Sequence, residues 1–527
     1  MNETRPQLER FLAACAAAGH AEGAADPGVL APAVCLPVRA DAWRQVARTA
    51  HEQGLRWSAF WAAEADAGHE AFAVLEADGR HVVLRAAVPQ GHALPSQAPV
   101  YPAADRPERH AHDLLGIAFD GQPDGRRWVR HAAWPAGQFP LRRDFPASSV
   151  PGPTPPDEHY PFAAVQGPGV VEIPVGPVHA GIIEPGHFRF HAVGETVLNL
   201  EERLGYVHKG IEKLAVGRDA ASLARLAARV SGDSTVAHGW AACQALERAT
   251  GVAPPERALF LRAIMLERER VANHLGDIGA ICTDVAFSFG QYQLSRLREQ
   301  WLRASAACFG HRLMMDCIVP GGVTTDLTAA AAQEMAAHAH GLAAEFATII
   351  ERIEASESLE DRLMTTGRLS PEAAAELGVV GYVGKASGQC YDVRVDSPHP
   401  PYERFALKSP GYHAGDVAAR ARIRIDEVTL SLDLLGRLLQ DLPAGPVGVA
   451  WPQQAGAGEG LGVVESWRGE LLSYVRLDAR GRTERFFPRD PSWLNWPALE
   501  LMIMGNIVPD FPVCNKSVNG SYSGQDL

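Results

Sequence analysis

Apolar residues recur at helical spacing over several stretches of the C-terminal two thirds of the chain. Between 198 and 214 the apolar positions step alternately by four and three residues, which predicts an amphipathic helix. Similar stripes predict helices that begin at Pro255, that span about 327–355 and that span about 414–440. Strand-like residues precede them from about 170 onward. We therefore expect a small sheet followed by a bundle of long helices.

The first 145 residues mix the two periodicities. The spacing over 40–54 predicts a helix, and the apolar runs at 72–75 and 81–87 predict two strands joined by a turn at Asp78 and Gly79. The stretch 108–145 is crowded with charged residues, glycine and proline, which predicts loops. These elements indicate a small α+β domain over 1–145.

A proline-rich segment separates the two parts. Seven prolines fall within 146–169, where their fixed φ angles and missing N–H donors exclude a helix or a central strand. We predict an extended linker over 146–169 and a larger domain over 170–527. The predicted fold class is α+β, because a small α+β domain and a linker precede a domain with a small N-terminal sheet and a core of long helices.

Composition narrows the possible functions. The 527 residues carry a formal net charge of −13 and form no basic patch, which argues against a nucleic-acid-binding protein. Since we find no apolar run of about 18 residues and no basic start typical of a signal peptide, we expect a cytoplasmic chain without a transmembrane helix. The eight cysteines form no CxxC pair, which favours buried free thiols over disulfides or a cluster.

One predicted helix carries a carboxylate among apolar positions. Glu267 lies in the apolar stripe that follows Pro255, and Arg270 and His274 follow it one and two turns later. A carboxylate in such a place must be paired or have a raised pKa. These three residues therefore form either a structural ion pair or a proton relay.

Two glycine-rich stretches carry further polar residues. The strand and loop over 176–187 contain Glu184 and His187, which suit either turn chemistry or proton and metal binding. The polar stretch over 515–527 predicts a frayed C-terminal tail.

Several blocks of the sequence resemble one superfamily. The stretch 171–214, VEIPVGPVHAGIIEPGHFRFHAVGETVLNLEERLGYVHKGIEKL, resembles the opening of the large subunit of membrane-bound, group 4 nickel–iron hydrogenases. The 49 kDa subunit of complex I belongs to the same superfamily, and residues 361–405 and 493–506 are similar to its further blocks. Residues 108–145 resemble the 30 kDa subunit of complex I. Fusion of these two parts is the arrangement of the formate-hydrogenlyase type of hydrogenase.

The chain departs from this superfamily at the metal site. The resemblance implies four thiolates from two CxxC pairs, but the matching positions are Ser231, Ser234, Ser521 and Gly524. Neutral hydroxyls are poor nickel ligands and glycine has no side chain. We therefore expect no metal and no bound cofactor in this chain, and no nickel–iron hydrogenase activity of its own.

The resemblance also implies that groups around the former metal are retained. Glu184 matches the glutamate that passes protons from the metal site, and Arg394 and Asp396 match the arginine and the acid above it. With His187, these residues are our candidates for catalysis. Glu267 and its two neighbours match charged helix residues and remain candidates for a proton relay.

A quinone site of the complex I type would need substitutes. In complex I a histidine and a tyrosine hold the quinone headgroup, and Pro185 and Gly232 stand at the matching positions here. His187 and Tyr522 are candidate substitutes for them.

These observations predict a peripheral-arm subunit of a membrane-bound oxidoreductase related to complex I and the hydrogenases. Its metal-free cavity would handle a quinone or couple protons. The alternative is a redox-silent structural subunit that joins the peripheral and membrane arms. The resemblance implies a small iron–sulfur subunit, ferredoxin-like subunits and antiporter-like membrane subunits as partners. Iron–sulfur clusters would lie in those partners, which would also attach the chain to the cell membrane.

Overall fold

The structure is a computed structural model that describes residues 6–130, 134–135, 137–148, 160–179, 181, 183–453 and 455–527. Its N-terminal part contains β1 (Val34–Pro37), β2 (Arg56–Ala65), β3 (Gly68–Ala77), β4 (Arg80–Pro89), β5 (Ala93–Pro95) and β6 (Ala118–Asp120), with helices α1 (Gln7–Ala17), α2 (Trp43–Glu52) and α3 (Asp105–Leu115). The main sheet has the order β1-β4-β3-β2, in which β1 is parallel to β4 and the other pairs are antiparallel. Apolar residues of α1 and α2 pack against this sheet.

The predicted N-terminal helix and hairpin are confirmed, but the loop prediction is wrong at its start. Helix α3 continues to Leu115, and its charged side chains are buried rather than exposed. The Glu108 carboxylate accepts hydrogen bonds from the Ser96 hydroxyl at 2.5 Å and from the Gln97 N–H at 2.6 Å. A stretch rich in charged residues is exposed only if these residues find no hydrogen-bond partners elsewhere in the chain. Here Ser96 and Gln97 are such partners, so the helix can be buried.

The C-terminal part opens with an antiparallel sheet of β7 (Val170–Val175), β8 (His187–Val193) and β9 (Thr196–Arg203). The helices that follow are α4 (Ile211–Ala215), α5 (Ala220–Ala227), α6 (Thr235–Thr250), α7 (Glu256–Asp284), α8 (Ser288–Phe309), α9 (Ala329–Glu354), α10 (Glu357–Leu363), α11 (Pro371–Glu376), α12 (Gly381–Ala386), α13 (Val393–Asp396) and α14 (Val417–Gln440). The short strands β10 (Ile318–Val319) and β11 (Gly322–Val323) pair between α8 and α9. A second antiparallel sheet, β12 (Gly458–Ser466), β13 (Gly469–Leu477) and β14 (Thr483–Arg489), precedes α15 (Ser492–Met502), α16 (Phe511–Val518) and α17 (Tyr522–Asp526).

The predicted helix over 198–214 is wrong. Strand β9 occupies the first part of this stretch, because β8 supplies its backbone hydrogen-bond partners. Gly205 and Gly210 then adopt φ angles of 95° and 71°, which interrupt any helix before α4 begins. The apolar residues with this alternating spacing therefore belong to a strand, a loop and one short helix.

The three other long helices are confirmed as α7, α9 and α14, and the α+β fold class is confirmed with them. Helix α7 lies at the centre, between α6, α8, α14 and α16. Its apolar stripe is buried, but so are most of its charged residues, including Arg262, Glu267 and Arg270. Within the described ranges, no helix has the length and hydropathy that crossing a bilayer requires.

Part of the predicted linker, residues 149–159, lies outside the described residues. Residues 160–168 form neither helix nor strand, and Tyr160 packs on the core, with the Arg203 guanidinium 4.0 Å from its ring centre. All eight cysteines are free thiols, and six are buried.

An aromatic cluster joins the N-terminal sheet to the β12–β14 sheet. The Trp61 ring lies 5.1 Å from Phe72 of the same sheet and 5.5 Å from Phe487 of β14, measured between ring centres. Tyr474 of β13 lies 4.9 Å from Trp61. The two sheets therefore share one core on this side of the molecule.

A buried carboxylate holds the same interface together. The Glu470 carboxylate of β13 accepts hydrogen bonds from Arg56 at 2.8 Å, from the Ser58 hydroxyl at 2.5 Å and from His81 at 2.8 Å. It also pairs with Arg489 of β14. Burial would raise the pKa of Glu470, but these cations and donors lower it well below its usual range. The interface thus contains a buried carboxylate that stays ionised because cations and hydrogen-bond donors surround it.

We expect Glu470→Gln to weaken this interface strongly. The substitution leaves Arg489 buried without its anion and leaves Arg56 with Glu76 alone, which costs about 3–5 kcal/mol of the free energy of unfolding. Urea unfolding at neutral pH measures this loss. Glu484→Gln is the control, because its ion pair with Arg143 is largely exposed and should contribute little. Equal effects of the two variants would contradict the role of Glu470.

Candidate functional site

The segment that would carry the first thiolate pair forms a short turn before α6. Its Asp233 carboxylate pairs with Arg468 through two hydrogen bonds of 2.8 and 2.7 Å. Arg468 also donates to the Ser234 hydroxyl at 3.3 Å. The Asp233 carbonyl accepts from the Trp467 indole N–H at 2.9 Å, so the turn is anchored through its backbone as well.

Residues 521–524, which match the second thiolate pair, lie directly against the turn before α6. The hydroxyls of Ser231 and Ser521 are 2.8 Å apart and share a hydrogen bond. The Ser521 hydroxyl also accepts from the Gly524 N–H at 2.9 Å, while the Ser521 N–H donates to the Ser492 hydroxyl at 2.8 Å. Two segments that lie far apart in the sequence are thus closed onto each other by neutral hydrogen bonds.

A carboxylate occupies the space beside the fourth thiolate position. A Cβ atom at Gly524 would lie 2.6 Å from the carboxyl carbon of Asp490, which leaves no room for a side chain unless Asp490 moves. Asp490 is held by His238 at 2.9 Å and by the Ser492 N–H at 2.9 Å. Burial would raise the pKa of Asp490, but His238, Arg468 and Ser492 outweigh burial and lower it to about 2.

These residues do not fit a nickel–iron centre. The positions that the resemblance matches to thiolates offer neutral hydroxyls, two of which are hydrogen-bonded to each other, and one glycine. Among the described residues, no group of three or more His, Cys, Asp or Glu side chains could hold a metal ion. We call this closed polar arrangement of Ser231, Asp233, Arg468, Asp490 and Ser521 the emptied site.

The C-terminal stretch is ordered against this site, so the prediction of a frayed tail is wrong. Asp526 is 2% exposed, and its carboxylate accepts from the N–H groups of Gly205 and Val207 at 2.8 and 3.0 Å. The backbone carbonyl of Leu527 accepts from two further N–H groups. Polar, glycine-rich composition did not indicate exposure here, because the core supplies partners for these groups.

Glu184 lies beside the emptied site. Its carboxylate accepts a hydrogen bond of 2.9 Å from the N–H of Ser523, between Ser521 and Gly524, and its side chain is otherwise exposed. The structure thus brings the predicted proton-transfer glutamate to the edge of the second segment.

His187 and Tyr522 lie near each other but serve different partners. The Tyr522 ring packs against Gly186 and lies 4.9 Å from the Trp496 ring centre. His187 contacts the Gly176 carbonyl at 3.1 Å through Nδ1 and accepts from Arg189 at 3.1 Å through Nε2. Burial lowers the pKa of His187, so its ring is neutral at neutral pH.

Glu267 is at the centre of a buried charge cluster. Its carboxylate accepts from Arg270 at 3.1 Å and from Arg394 at 3.0 Å. The hydroxyls of Tyr402 and Ser431 add hydrogen bonds of 2.8 and 2.6 Å. Burial would raise the pKa of Glu267, but Arg394 and Arg270 outweigh it and lower the pKa to about 2. Glu267 is therefore a fixed anion.

The cluster continues through Lys385. Its ammonium group donates to Asp392 at 2.6 Å and to Glu427 at 2.7 Å, and Asp392 also pairs with Arg394 at 2.8 Å. Glu427 accepts from His274 at 2.7 Å. The structure thus brings together four of the predicted residues, Glu267, Arg270, His274 and Arg394, and we call this whole set of buried groups the charge cluster.

Asp396 lies apart from Glu267 and Arg394. Its carboxylate accepts from the Asp392 N–H at 2.7 Å, at the start of α13. Its own carbonyl lies against Gly79 in the turn of the N-terminal hairpin, where a Cβ would come within 1.7 Å of the carbonyl oxygen. Asp396 therefore connects α13 to the N-terminal hairpin instead of facing the emptied site.

The turn between β12 and β13 links the charge cluster to the emptied site. Arg270 donates to the carbonyls of Glu465 and Ser466 at 2.7 and 2.8 Å. The next two residues, Trp467 and Arg468, both bind Asp233. One four-residue turn thus contacts both groups of residues.

Several members of the emptied site and the charge cluster are not among the residues predicted from the sequence. Asp233 lies between Ser231 and Ser234, which match the first cysteine pair, so its place in the sequence could have identified it. Lys385 and Asp392 lie within the blocks that carry the resemblance. Arg468 and Asp490 had no local signal, because only the tertiary structure brings them to the emptied site.

Three family profiles match successive parts of the chain. Residues 36–151 match the family described as respiratory-chain NADH dehydrogenase, 30 Kd subunit, and residues 284–457 match its 49 Kd subunit. Residues 209–276 match the nickel-dependent hydrogenases.

Curated relatives extend these matches over most of the chain. It is 33% identical over 435 residues to formate hydrogenlyase subunit 5 of Escherichia coli K12, which covers 82% of this chain and 76% of that protein. It is 33% identical over 352 residues to the carbon monoxide-induced hydrogenase of Rhodospirillum rubrum, or 67% of this chain and 98% of that protein. It is also 29% identical over 376 residues to the alpha subunit of the membrane-bound hydrogenase of Pyrococcus furiosus, or 68% and 87% of the two chains.

A solved structure shows the same fold. A chain in the structure of the membrane-bound sulfane sulfur reductase (MBS), described as an archaeal respiratory membrane complex, matches with a TM-score of 0.65 at 24% identity. The match covers 68% of this chain and 99% of that one.

We expect Ser521→Ala to loosen the contact between the two segments. The variant loses the bonds to Ser231 and to the Gly524 N–H, so the free energy of unfolding should fall by about 1–2 kcal/mol. Hydrogen exchange of residues 520–527 should accelerate. Ser473→Ala is the matched control, because the buried Ser473 hydroxyl has no hydrogen-bond partner within the described ranges. Unchanged exchange in Ser521→Ala would contradict the contact.

Proposed function

Because the chain belongs to the family that joins membrane-bound hydrogenase large subunits with the 49 kDa subunit of complex I, we propose that it couples protons to electron transfer without a metal of its own. It is a peripheral-arm subunit of a membrane-bound oxidoreductase complex. The observation that carries the proposal is the continuity between the emptied site and the charge cluster, through the turn that holds Trp467 and Arg468.

Each part of this arrangement has a defined task in the proposal. Glu184, exposed at the edge of the emptied site, exchanges protons with water. Glu267 and Arg394 hold fixed opposite charges that keep the cluster electrostatically balanced. Paired charges in a low dielectric respond strongly to the gain or loss of a nearby proton. Electron transfer in a partner subunit would therefore change the proton affinity of Glu184.

The proposal leaves redox chemistry to partner subunits. Iron–sulfur clusters and any quinone would lie in or against a small iron–sulfur subunit, with ferredoxin-like and antiporter-like subunits completing the assembly. A quinone site on this chain is the second candidate, supported by the contact of Tyr522 with Gly186, next to His187. Both ring nitrogens of His187 already have partners, so we favour the proton role.

An apolar surface near the emptied site fits a partner subunit. Leu198 of β9, Leu501 of α15, and Met504 and Ile507 after it are between 37% and 45% exposed. Residues 505–508 pair with β9 through backbone hydrogen bonds, so these side chains share one surface. The same helix α15 carries Trp496, which contacts Tyr522. We propose that the small iron–sulfur subunit docks here.

Glu184→Gln tests the proton role. Glutamine keeps an acceptor for the Ser523 N–H but cannot exchange a proton, so proton-coupled turnover of the assembled complex should fall on the order of 10²-fold. Assembly, followed by co-purification, should stay intact. Glu172→Gln is the control, since Glu172 is an exposed carboxylate of the same region that pairs with Arg189. Unchanged turnover in Glu184→Gln would favour the structural subunit instead.

Substitution of the apolar surface tests the docking proposal. Leu501→Asp combined with Met504→Asp should abolish co-purification of the small subunit, because charged side chains would have to be buried in the interface. The isolated chain should keep its unfolding midpoint. Tyr292→Asp is the control, because this residue is 69% exposed on α8. Full co-purification of the double variant would exclude this surface.

A further inference from the structure

Glu465 is a buried acid beside the charge cluster, and none of the roles above uses its carboxyl group. It lies on β12 and is 1% exposed. One carboxylate oxygen accepts from the Val393 N–H at 3.0 Å. The other has no hydrogen-bond partner among the described residues, and its nearest cation is the Lys385 ammonium at 3.7 Å.

Lys385 is already committed to other anions. It donates to Asp392 and Glu427 at 2.6 and 2.7 Å, about 1 Å closer than its distance to Glu465. Burial lowers the pKa of His274, so this ring adds no charge at neutral pH. The cations are therefore Lys385, Arg270 and Arg394.

Three strongly bonded carboxylates balance these three cations. They are Glu267, Asp392 and Glu427. Glu267 and Asp392 each accept from at least two charged or hydroxyl donors, and Glu427 accepts from Lys385 and from the neutral His274 ring. Glu465 is thus a surplus acid. If it were ionised, the cluster would carry a net negative charge in the protein interior, which is costly.

Within the part of the chain that the structure describes, no unused cation faces Glu465. From α12 it meets Lys385, from α7 Arg270, and from the α13 region Asp392 and Arg394. Tyr391 lies near enough for the two groups to influence each other.

We propose that Glu465 is the proton-exchange site of the charge cluster. It is a neutral carboxylic acid that releases its proton to water and takes it back during turnover. The O–H bond breaks, the proton goes to water, and the cluster changes from zero net charge to −1. This inference rests on the proposed function and names the residue that carries it out.

The position of Glu465 explains how a change in its charge would alter the emptied site. Arg270 binds the carbonyls of Glu465 and Ser466, and Arg468 follows only two residues later. A new negative charge on Glu465 attracts Arg270 and Lys385. Since Arg270 holds the turn, its displacement would reach the Arg468–Asp233 pair directly.

The direction of the pKa shift agrees with this assignment. Burial and the nearby Asp392 raise the pKa of Glu465 to about 8, against the opposing effects of Lys385, Arg270 and Arg394. Glu427, in contrast, has its pKa lowered well below its usual range, because Lys385 and His274 outweigh the effect of burial. The two neighbouring acids therefore differ in protonation at neutral pH.

The pH dependence of stability distinguishes these two acids in the isolated full chain. An acid with a raised pKa binds a proton on folding, so its contribution to stability is lost as pH rises from about 4.5 to about 8. The unfolding midpoint of Glu465→Gln should therefore rise relative to the unmodified chain over this range. Glu427→Gln should show the opposite, with a deficit at neutral pH that shrinks in acid.

A neutral-pH deficit in Glu465→Gln like that of Glu427→Gln would show that Glu465 is ionised and would overturn the inference. Infrared spectra provide a second measurement. A protonated-carboxyl band at neutral pH should be present in the unmodified chain and reduced in Glu465→Gln. An identical band in both would also overturn it.

Turnover of the assembled complex tests the exchange itself. Glu465→Gln should keep assembly and lose proton-coupled turnover at least about 10-fold, a lower bound for one missing proton carrier. If Glu465→Gln turns over normally while Glu184→Gln fails, the role of Glu465 is wrong and the proposed function stands. If both turn over normally, the proposed function fails as well.

Discussion

The hydrogen bonds and ion pairs of the Glu267 carboxylate are the interaction on which the C-terminal part depends. Arg270 comes from the same helix, Arg394 from α13, Tyr402 from the loop after it and Ser431 from α14. A buried carboxylate that lost these donors would be unpaired in a low dielectric, which is strongly destabilising. These bonds therefore hold α7, α13, the loop after α13 and α14 in one arrangement.

The emptied site joins two distant segments of the chain through side chains that do not suit nickel. A metal bound by four thiolates would cross-link the turn before α6 to the C-terminal segment. Here the Ser231–Ser521 hydrogen bond makes that connection, and Arg468 adds to it by binding both Asp233 and the Asn519 carbonyl. Each bond is weaker than a metal–thiolate bond, but together they keep the C-terminal segment buried. Asp490 stays ionised within this site because His238, Arg468 and Ser492 outweigh the effect of burial on its pKa.

The N-terminal part, the charge cluster and the emptied site all contact the sheet of β12, β13 and β14. Glu470 of β13 binds three residues of the N-terminal sheet, and the turn at the start of β13 contacts both the charge cluster and the emptied site. The β12–β13 hairpin is therefore a common support for the N-terminal part, the buried charges and the former metal position. Its two strands are hydrogen-bonded along their whole length, which makes it a rigid connection.

The sequence by itself determined the long helices, the N-terminal hairpin and the family, because these depend on local periodicity and on blocks of residues such as 171–214. It also placed charged residues on α7 and predicted that Ser231, Ser234, Ser521 and Gly524 match the family's thiolate positions. Only the tertiary structure decided which charges are paired. The stripe over 198–214 became a strand because β8 offered backbone partners, and the C-terminal stretch is buried because Gly205 and Val207 bind Asp526. Arg468, Asp490 and Glu465 acquired their surroundings from residues distant in sequence, and no local pattern encodes such long-range pairing.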